Sequence, residues 1–409
     1  MKYLAKAFAI VMAMTLTLTS CSDDDEQDVS NYTKQTIIVY MPWSGSQSSS
    51  GLYKYLLANI DSMEAGIKAK KGLGDTRLMV YLAHSSSRAE LFEVTYDKGI
   101  CSRNTLKSYS ATEGATAQGI TTILNDVRQH SASLNYALVI GSHGSGWTFK
   151  EDWDNYPYNA KGLKTASHGT PATNYPTTRF FGSVGDMSYA INVNTLAEAI
   201  ADAGMKMQYI LFDNCYMANV ETAYELKDVT NFVVASTSEI MSVGMPYTSM
   251  WSSMATATPS YSGMVSAFNT FYSKYSYPYG SLSAIDCRKL AELAAVMKEV
   301  NATCSMADSL RDSIQILDGF NEPLFYDMAD YTDHLCGDND ILKSKVKKQI
   351  AAVIKSCKST PQLYSYLYVY QSPKYINVNT FSGLTISDPS INSVAIKGRE
   401  KTKWYKDTH

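Results

Sequence analysis

The sequence predicts an α/β fold, a mainly parallel central sheet with helices on both faces, followed by a C-terminal α+β extension. Three observations carry that expectation. Five short apolar runs end in turn residues, the pattern of strands buried on both faces. Segments of helical spacing lie between the runs, and strands alternating with helices build parallel sheets. The chain has 409 residues, 45% hydrophobic and 18% charged with a net charge of −3, which is enough to bury one or two sizeable cores.

The strands are expected at residues 36–41 before Pro42, 77–83, 136–140 before Gly141, 209–212 before Asp213, and 232–235. Residues 86–96 add a small antiparallel piece. Leu56, Ile60 and Met63 repeat at helical spacing, as do Ile120, Ile123, Leu124 and Val127. Thr195 and Glu198 read as a capping box, with Gly204 closing that helix. A further helix is expected over 217–226. Residues 148–186 are rich in Gly, Pro, Asn, Thr and Tyr and have no period, so they form a long loop; residues 242–247 form a second. After Pro259, helices are expected at 264–274, 290–302 and 342–354, and strands at 281–286 and 363–370. A boundary near residue 258 divides a main domain, 35–258, from a C-terminal subdomain, 259–409; the second part reads equally as an extension of the same sheet.

The N-terminus is an address. Lys2 and Lys6 precede an apolar stretch over 7–19, and Leu18-Thr19-Ser20-Cys21 follows. This reads as a secretory signal peptide over 1–20 whose end resembles a bacterial lipobox, with Cys21 as the lipidated new N-terminus. The stretch is too short and too rich in threonine to span a bilayer. A plain cleaved signal peptide is the alternative. Residues 21–34 form an acidic tether, reading SDDDEQD over 22–28. Acids placed there resemble export signals of surface-displayed lipoproteins, which puts the chain in a bacterial cell envelope, at the outer membrane or cell surface. A solvated linker explains them equally well.

Composition also excludes. High apolar content with near-zero net charge rules out disorder for most of the chain. No basic excess exists to release counterions from phosphates, so nucleic acid is not a partner. The six cysteines after Cys21 are widely spread with no CxxC pairing, which suggests neither a zinc site nor a disulfide framework.

Two strand ends carry chemistry. In open parallel sheets ligands bind at the carboxyl ends of strands. The third strand runs into Gly141-Ser-His-Gly-Ser-Gly-Trp147 and the fourth into Asp213-Asn-Cys-Tyr-Met217. If these strands are neighbours, His143 and Cys215 converge. A cysteine nucleophile needs an imidazole, because the thiolate is the reactive form and the free thiol is mostly protonated near neutrality. Gly144 lets its N–H approach a substrate carbonyl, and with the N–H of Cys215 it makes an oxyanion hole. A helix starting just after Cys215 would add its positive dipole end.

These two segments, SHGSGW at 142–147 and DNCYMANVE at 213–221, resemble the signature segments of the clostripain family of cysteine peptidases. The resemblance covers about residues 35–258 and, more weakly, the rest. It implies a caspase-like αβα sandwich, His143 as general base, Cys215 as nucleophile, and Gly144 and Cys215 as oxyanion donors. It implies protein or peptide substrates. Asp213 matches an acid that lines the pocket for a basic P1 side chain; capping the next helix is its plainer role. Glu239 matches a further substrate-binding segment, but the continuation over 240–247 carries no acid, which departs from relatives that cleave after arginine. His168 repeats a His-Gly pair without a preceding strand and is read as incidental.

Some relatives are cleaved between the catalytic His and Cys. Lys150, Lys161, Lys164 and Arg179 in the long loop are basic sites for self-cleavage within 148–186. Clostripain is associated with calcium, and Glu151, Asp152 and Asp154 form an acidic loop; no cofactor or metal is assigned from it. The expected function is an exported, lipid-anchored cysteine endopeptidase that cleaves after Arg or Lys. Two rivals stay open: a non-catalytic surface binding lipoprotein on a peptidase-like fold, and a cysteine amidase acting on a non-protein amide.

Overall fold

A computed structural model describes residues 33–45, 51–153, 181–183, 186–320, 322–365 and 375–409. Cys21 with its signal peptide, most of the acidic tether, and Asp154, Lys161, Lys164, His168 and Arg179 lie outside these residues.

Nine strands form the central sheet: β1 (Thr33–Met41), β2 (Thr76–Ala83), β3 (Ala89–Asp97), β4 (Ile100–Tyr109), β5 (Ser133–Gly141), β6 (Met207–Asp213), β7 (Phe232–Ala235), β8 (Ser281–Asp286) and β9 (Ile354–Ser359). Their spatial order is β9-β8-β7-β6-β5-β1-β2-β3-β4. The inner five, β7-β6-β5-β1-β2, run parallel. Antiparallel pairs close each edge, β3-β4 at one side and β8-β9 at the other.

Alternation along each strand divides the interior in two. Ile37, Val39 and Met41 of β1 face the layer of helices α1 (Tyr53–Ala69), α5 (Tyr247–Met254) and α6 (Tyr261–Tyr272). Ile38 and Tyr40 face the layer of α2 (Ala117–His130), α3 (Val193–Asp202), α4 (Val220–Leu226), α7 (Leu290–Thr303) and α9 (Asp340–Val353). With both faces covered, the inner strands have no polar face, which is why they read as continuous apolar runs. The αβα sandwich is therefore present.

Several local expectations shift. The antiparallel piece is a full hairpin, since β4 pairs with β3 along its length. Helix α3 begins at Val193 behind Asn192, so Thr195 lies inside the helix and caps nothing, whereas Gly204 does follow its end with φ +61°. Helix α4 begins at Val220, where Asn219 Oδ1 accepts from the N–H of Thr222 at 2.7 Å. It is a seven-residue helix that starts five positions beyond Cys215 rather than just after it. The helix expected to end at 354 stops at Val353, and Ile354 starts edge strand β9. Of the strand expected at 363–370, Gln362–Tyr364 pairs with Tyr375–Asn377, Ser365 follows outside the strand, and 366–370 lie outside the described residues.

The sheet crosses the boundary expected near residue 258: β8 hydrogen-bonds to β7, and Thr33–His409 forms one compact unit. The last residues return to the middle of the molecule. The Thr385 N–H donates to the Ala218 carbonyl at 3.0 Å, and helix α11 (Lys403–Thr408) buries Trp404 against α4 and α7; α8 (Met328–Cys336) and α10 (Ser393–Gly398) complete the helices.

Candidate active site

β5 and β6 are paired neighbours, and Gly141 stands opposite Asp213 in register. His143 and Cys215 are each two residues past that pair. Both are 5% exposed and line one pocket, with Leu56 and Asn59 of α1, Asp213, and Ile240, Met241 and Gly244 from the loop after β7. The pocket encloses ≈ 30 Å³, room for one or two waters.

Asn214 holds the two loops together, a role the sequence reading missed. Its Nδ2 donates to the Ser142 carbonyl at 2.8 Å, to Ser142 Oγ at 2.8 Å and to the His143 carbonyl at 3.0 Å. Ser142 Oγ also accepts from the Gly182 N–H at 2.8 Å, and His143 forms an antiparallel bridge with Gly182. Gly144 has to be glycine: a Cβ there would stand 2.6 Å from Asn214 Cβ and 2.7 Å from the Cys215 carbonyl oxygen.

Cys215 turns sharply into Tyr216, which has φ +62°, a left-handed conformation rare for a bulky residue. The Tyr216 N–H donates to the Ser238 carbonyl at 3.0 Å, and its ring stacks on Phe325 at 5.0 Å. The turn leaves Cys215 Sγ accepting from the Ile240 N–H at 3.2 Å. Burial pushes the thiol well above its ordinary value, and the Glu239 and Asp213 charges add to this against the Ile240 bond. In this state the sulfur is held protonated, so a proton acceptor has to act when it attacks.

Asp213 sits at the pocket wall. Its Oδ2 accepts three bonds: from Tyr247 Oη at 2.8 Å, Asn59 Nδ2 at 3.1 Å and the Met245 N–H at 3.2 Å. Burial raises its carboxyl to about 6, against the pull of the Tyr247 and Met245 bonds. It caps no helix. Glu239 is turned elsewhere. Its Oε1 accepts from Tyr216 Oη at 2.8 Å and from Ser365 Oγ at 2.5 Å, and it is not among the residues lining the pocket with Cys215. The resemblance that matches Glu239 to a substrate-binding segment fixes its place in the chain, not the direction of its carboxylate.

A second buried carboxylate lies behind the site. Glu221 of α4 accepts from the Ser387 N–H at 2.7 Å, while Ser387 Oγ accepts from Trp147 Nε1 at 2.8 Å. One residue of the C-terminal segment thus ties the loop of His143 to the helix that follows Cys215. In the acidic loop, Glu151 accepts from Asn192 Nδ2 and Asp152 pairs with Lys401. Among the described residues no three His, Cys, Asp or Glu side chains gather as a metal-ligand set, and no helix is long and apolar enough to cross a membrane.

Comparison with protein families decides the affiliation: the clostripain family model, peptidase C11, matches residues 39–391. The chain belongs to the clostripain family. A secreted C11 cysteine protease from Bacteroides thetaiotaomicron is 37% identical, with 92% of this chain and 99% of that chain covered at a TM-score of 0.81. A clostripain from Bacteroides thetaiotaomicron, solved with the peptide inhibitor BTN-VLTK-AOMK, is 41% identical over 56% of this chain and 99% of its own, at a TM-score of 0.53. An inactive zymogen C11 protease from Parabacteroides distasonis is 23% identical and shares the fold, with 92% of this chain and 98% of that chain covered at a TM-score of 0.73. Comparison with curated proteins finds no match. This clostripain-family chain is therefore a cysteine endopeptidase with a caspase-like fold, acting on protein or peptide substrates.

Proposed function

We propose that this chain is an exported, lipid-anchored endopeptidase that cleaves after a basic residue, with Cys215 as nucleophile and His143 as its base. One observation carries the reading: His143, Cys215 and Asp213 all line the same pocket. His143 takes the proton of the Cys215 thiol as sulfur bonds to the scissile carbonyl carbon. The N–H groups of Gly144 and Cys215 stabilise the oxyanion. The carbon–nitrogen bond then breaks, His143 returns the proton to the leaving amine, and water hydrolyses the thioester. The Asp213 carboxylate pairs with the P1 cation. The inhibitor of the 41% identical relative supports a peptide in this cleft.

Cys215→Ala should lower turnover of a fluorogenic peptide library by at least about 10⁴-fold, the scale seen when a covalent nucleophile is removed. Activity unchanged in that variant overturns the assignment. Lipidation at Cys21 predicts that Cys21→Ala moves the chain from the membrane to the soluble fraction. Processing within 148–186, with Lys150 as one candidate bond, predicts a two-chain product that Cys215→Ala does not form.

A further inference from the structure

The reading above admits lysine or arginine at P1, and the arrangement around Asp213 separates them. A carboxylate offers two oxygens, and arginine uses both, because its planar guanidinium presents two parallel N–H groups in a fork. A lysine ammonium is a compact point charge that needs one acceptor at a time. In this pocket one oxygen is taken. Tyr247 Oη, Asn59 Nδ2 and the Met245 N–H all donate to Asp213 Oδ2, and among the described residues no hydrogen bond is made to Oδ1. Three donors exceed the lone pairs of one oxygen, so Oδ2 has nothing left for a substrate.

The space points the same way. The wall beside the carboxylate is Gly244, at φ +69°. A Cβ there would stand 2.6 Å from Asp213 Oδ2, 2.7 Å from Asn59 Nδ2 and 2.8 Å from Asp213 Oδ1. The carboxylate is thus packed flat against a bare backbone. Tyr272 Oη fixes that backbone by donating to the Gly244 carbonyl at 2.8 Å, so the wall is braced from behind.

We infer that this pocket selects lysine over arginine at P1, and that Asn59 and Tyr247 set the choice by occupying one oxygen of Asp213. The inference rests on the proposed cleavage after basic residues. Asn59 and Tyr247 are positioning residues, acting on substrate through Asp213.

The test compares kcat/KM for fluorogenic peptides identical except for P1 lysine, arginine or norleucine, on the mature full-length chain and on the combined variant Tyr247→Phe with Asn59→Ser. Either substitution alone leaves two donors on Oδ2; the combination leaves only the Met245 N–H and frees a lone pair. The wild type should hydrolyse the lysine peptide at least about tenfold faster than the arginine peptide, the worth of one charge-assisted bond. The combined variant should bring that ratio toward one, chiefly by gaining on arginine, with the change in KM rather than kcat. Arginine cleaved as well as lysine, with both far above norleucine, overturns the inference and leaves basic specificity intact. A ratio unmoved in the combined variant also overturns it. Norleucine cleaved as well as both cations overturns the basic-P1 reading itself. If the combined variant fails to fold, the wild-type ratio decides alone, since a lysine-to-arginine ratio near one already overturns the inference.

Discussion

Asp213 and Glu221 lie eight residues apart on the segment leaving β6, and both are buried acids. They have opposite surroundings. Asp213 collects three donors on one oxygen and shares its pocket with His143 and Cys215, and its carboxyl is raised to about 6. Glu221 accepts from the Ser387 N–H on Oε1, and among the described residues its buried Oε2 has no partner. Burial and the nearby Asp388 carboxylate raise it to about 8. Exposure alone does not distinguish them, at 8% and 2%; the donors and the pocket do. Near neutral pH the first is ionised and can receive a cation, while the second is protonated and serves as a neutral hydrogen-bonding group in the core.

The largest effect should come from breaking the first site. Asp213→Asn replaces an acceptor by an amide and removes the charge. Deleting one partner of a buried charged pair costs about 2–5 kcal/mol, so kcat/KM for basic P1 peptides should fall by about 10²-fold or more, with little change for norleucine. The same comparison has a pH form. Binding a P1 cation needs the ionised carboxylate, so in the wild type KM for a basic peptide should fall as pH rises through about 6. In Asp213→Asn that limb should vanish. An equal loss on neutral peptides would place Asp213 in the fold rather than in recognition.

Glu221 should behave in the reverse manner, on stability rather than specificity. Its folded-state value of about 8 lies above the ordinary 4.5, so folding favours the protonated form. That contribution is complete below about 4.5 and is lost as pH rises through about 8. The charges facing it are Asp388, from the C-terminal segment, with Arg399 and His409 acting on Asp388 in turn. Glu221→Gln imitates the neutral acid at every pH. Thermal melts at pH 4 should match the wild type within about 1 kcal/mol. At pH 9 the variant should be the more stable by a few kcal/mol, on the order set by the shift. A wild type whose melting point does not fall between pH 7 and 9 would show that the acid is not held neutral.

How much of this was legible in the sequence follows from which distances matter. His143, Cys215 and Asp213 announce themselves because each stands at the end of an apolar run, and strand ends in a parallel sheet meet at one edge. Asn214 stands between two of them and carried no signal, because its work is done on Ser142 and His143, more than seventy positions away in the chain. Glu239 was named through the family resemblance, which fixes a backbone position but not a rotamer; its carboxylate accepts from Tyr216 Oη, on the residue after Cys215. β9 was missed because its residues alternate between half-buried and exposed at a sheet edge, without the continuous apolar run that a central strand needs. The strand at 281–286 was legible, but not its neighbour: β8 joins the sheet antiparallel to β7, which is the reading of the second part as an extension of the same sheet, and an apolar run does not state which strand it pairs with.

The smallest effect belongs to the tie between the two regions. Ser387 accepts from Trp147, four residues past His143, and gives its N–H to Glu221, six residues past Cys215. Ser387→Ala keeps the backbone bond and removes only the hydroxyl, which leaves the buried indole N–H of Trp147 unpaired. An unsatisfied buried donor costs about 1–3 kcal/mol, and that should appear as a lowered melting point. If the tie only stabilises, kcat will be unchanged at temperatures well below the melt. If it also sets the reach of His143 toward Cys215, kcat should fall a few-fold while KM for the lysine peptide holds, because Asp213 is anchored from α1 and the loop after β7 and does not depend on Ser387. A fall in both constants together would mean that the C-terminal segment shapes the pocket as well, and that the two buried acids are parts of one device.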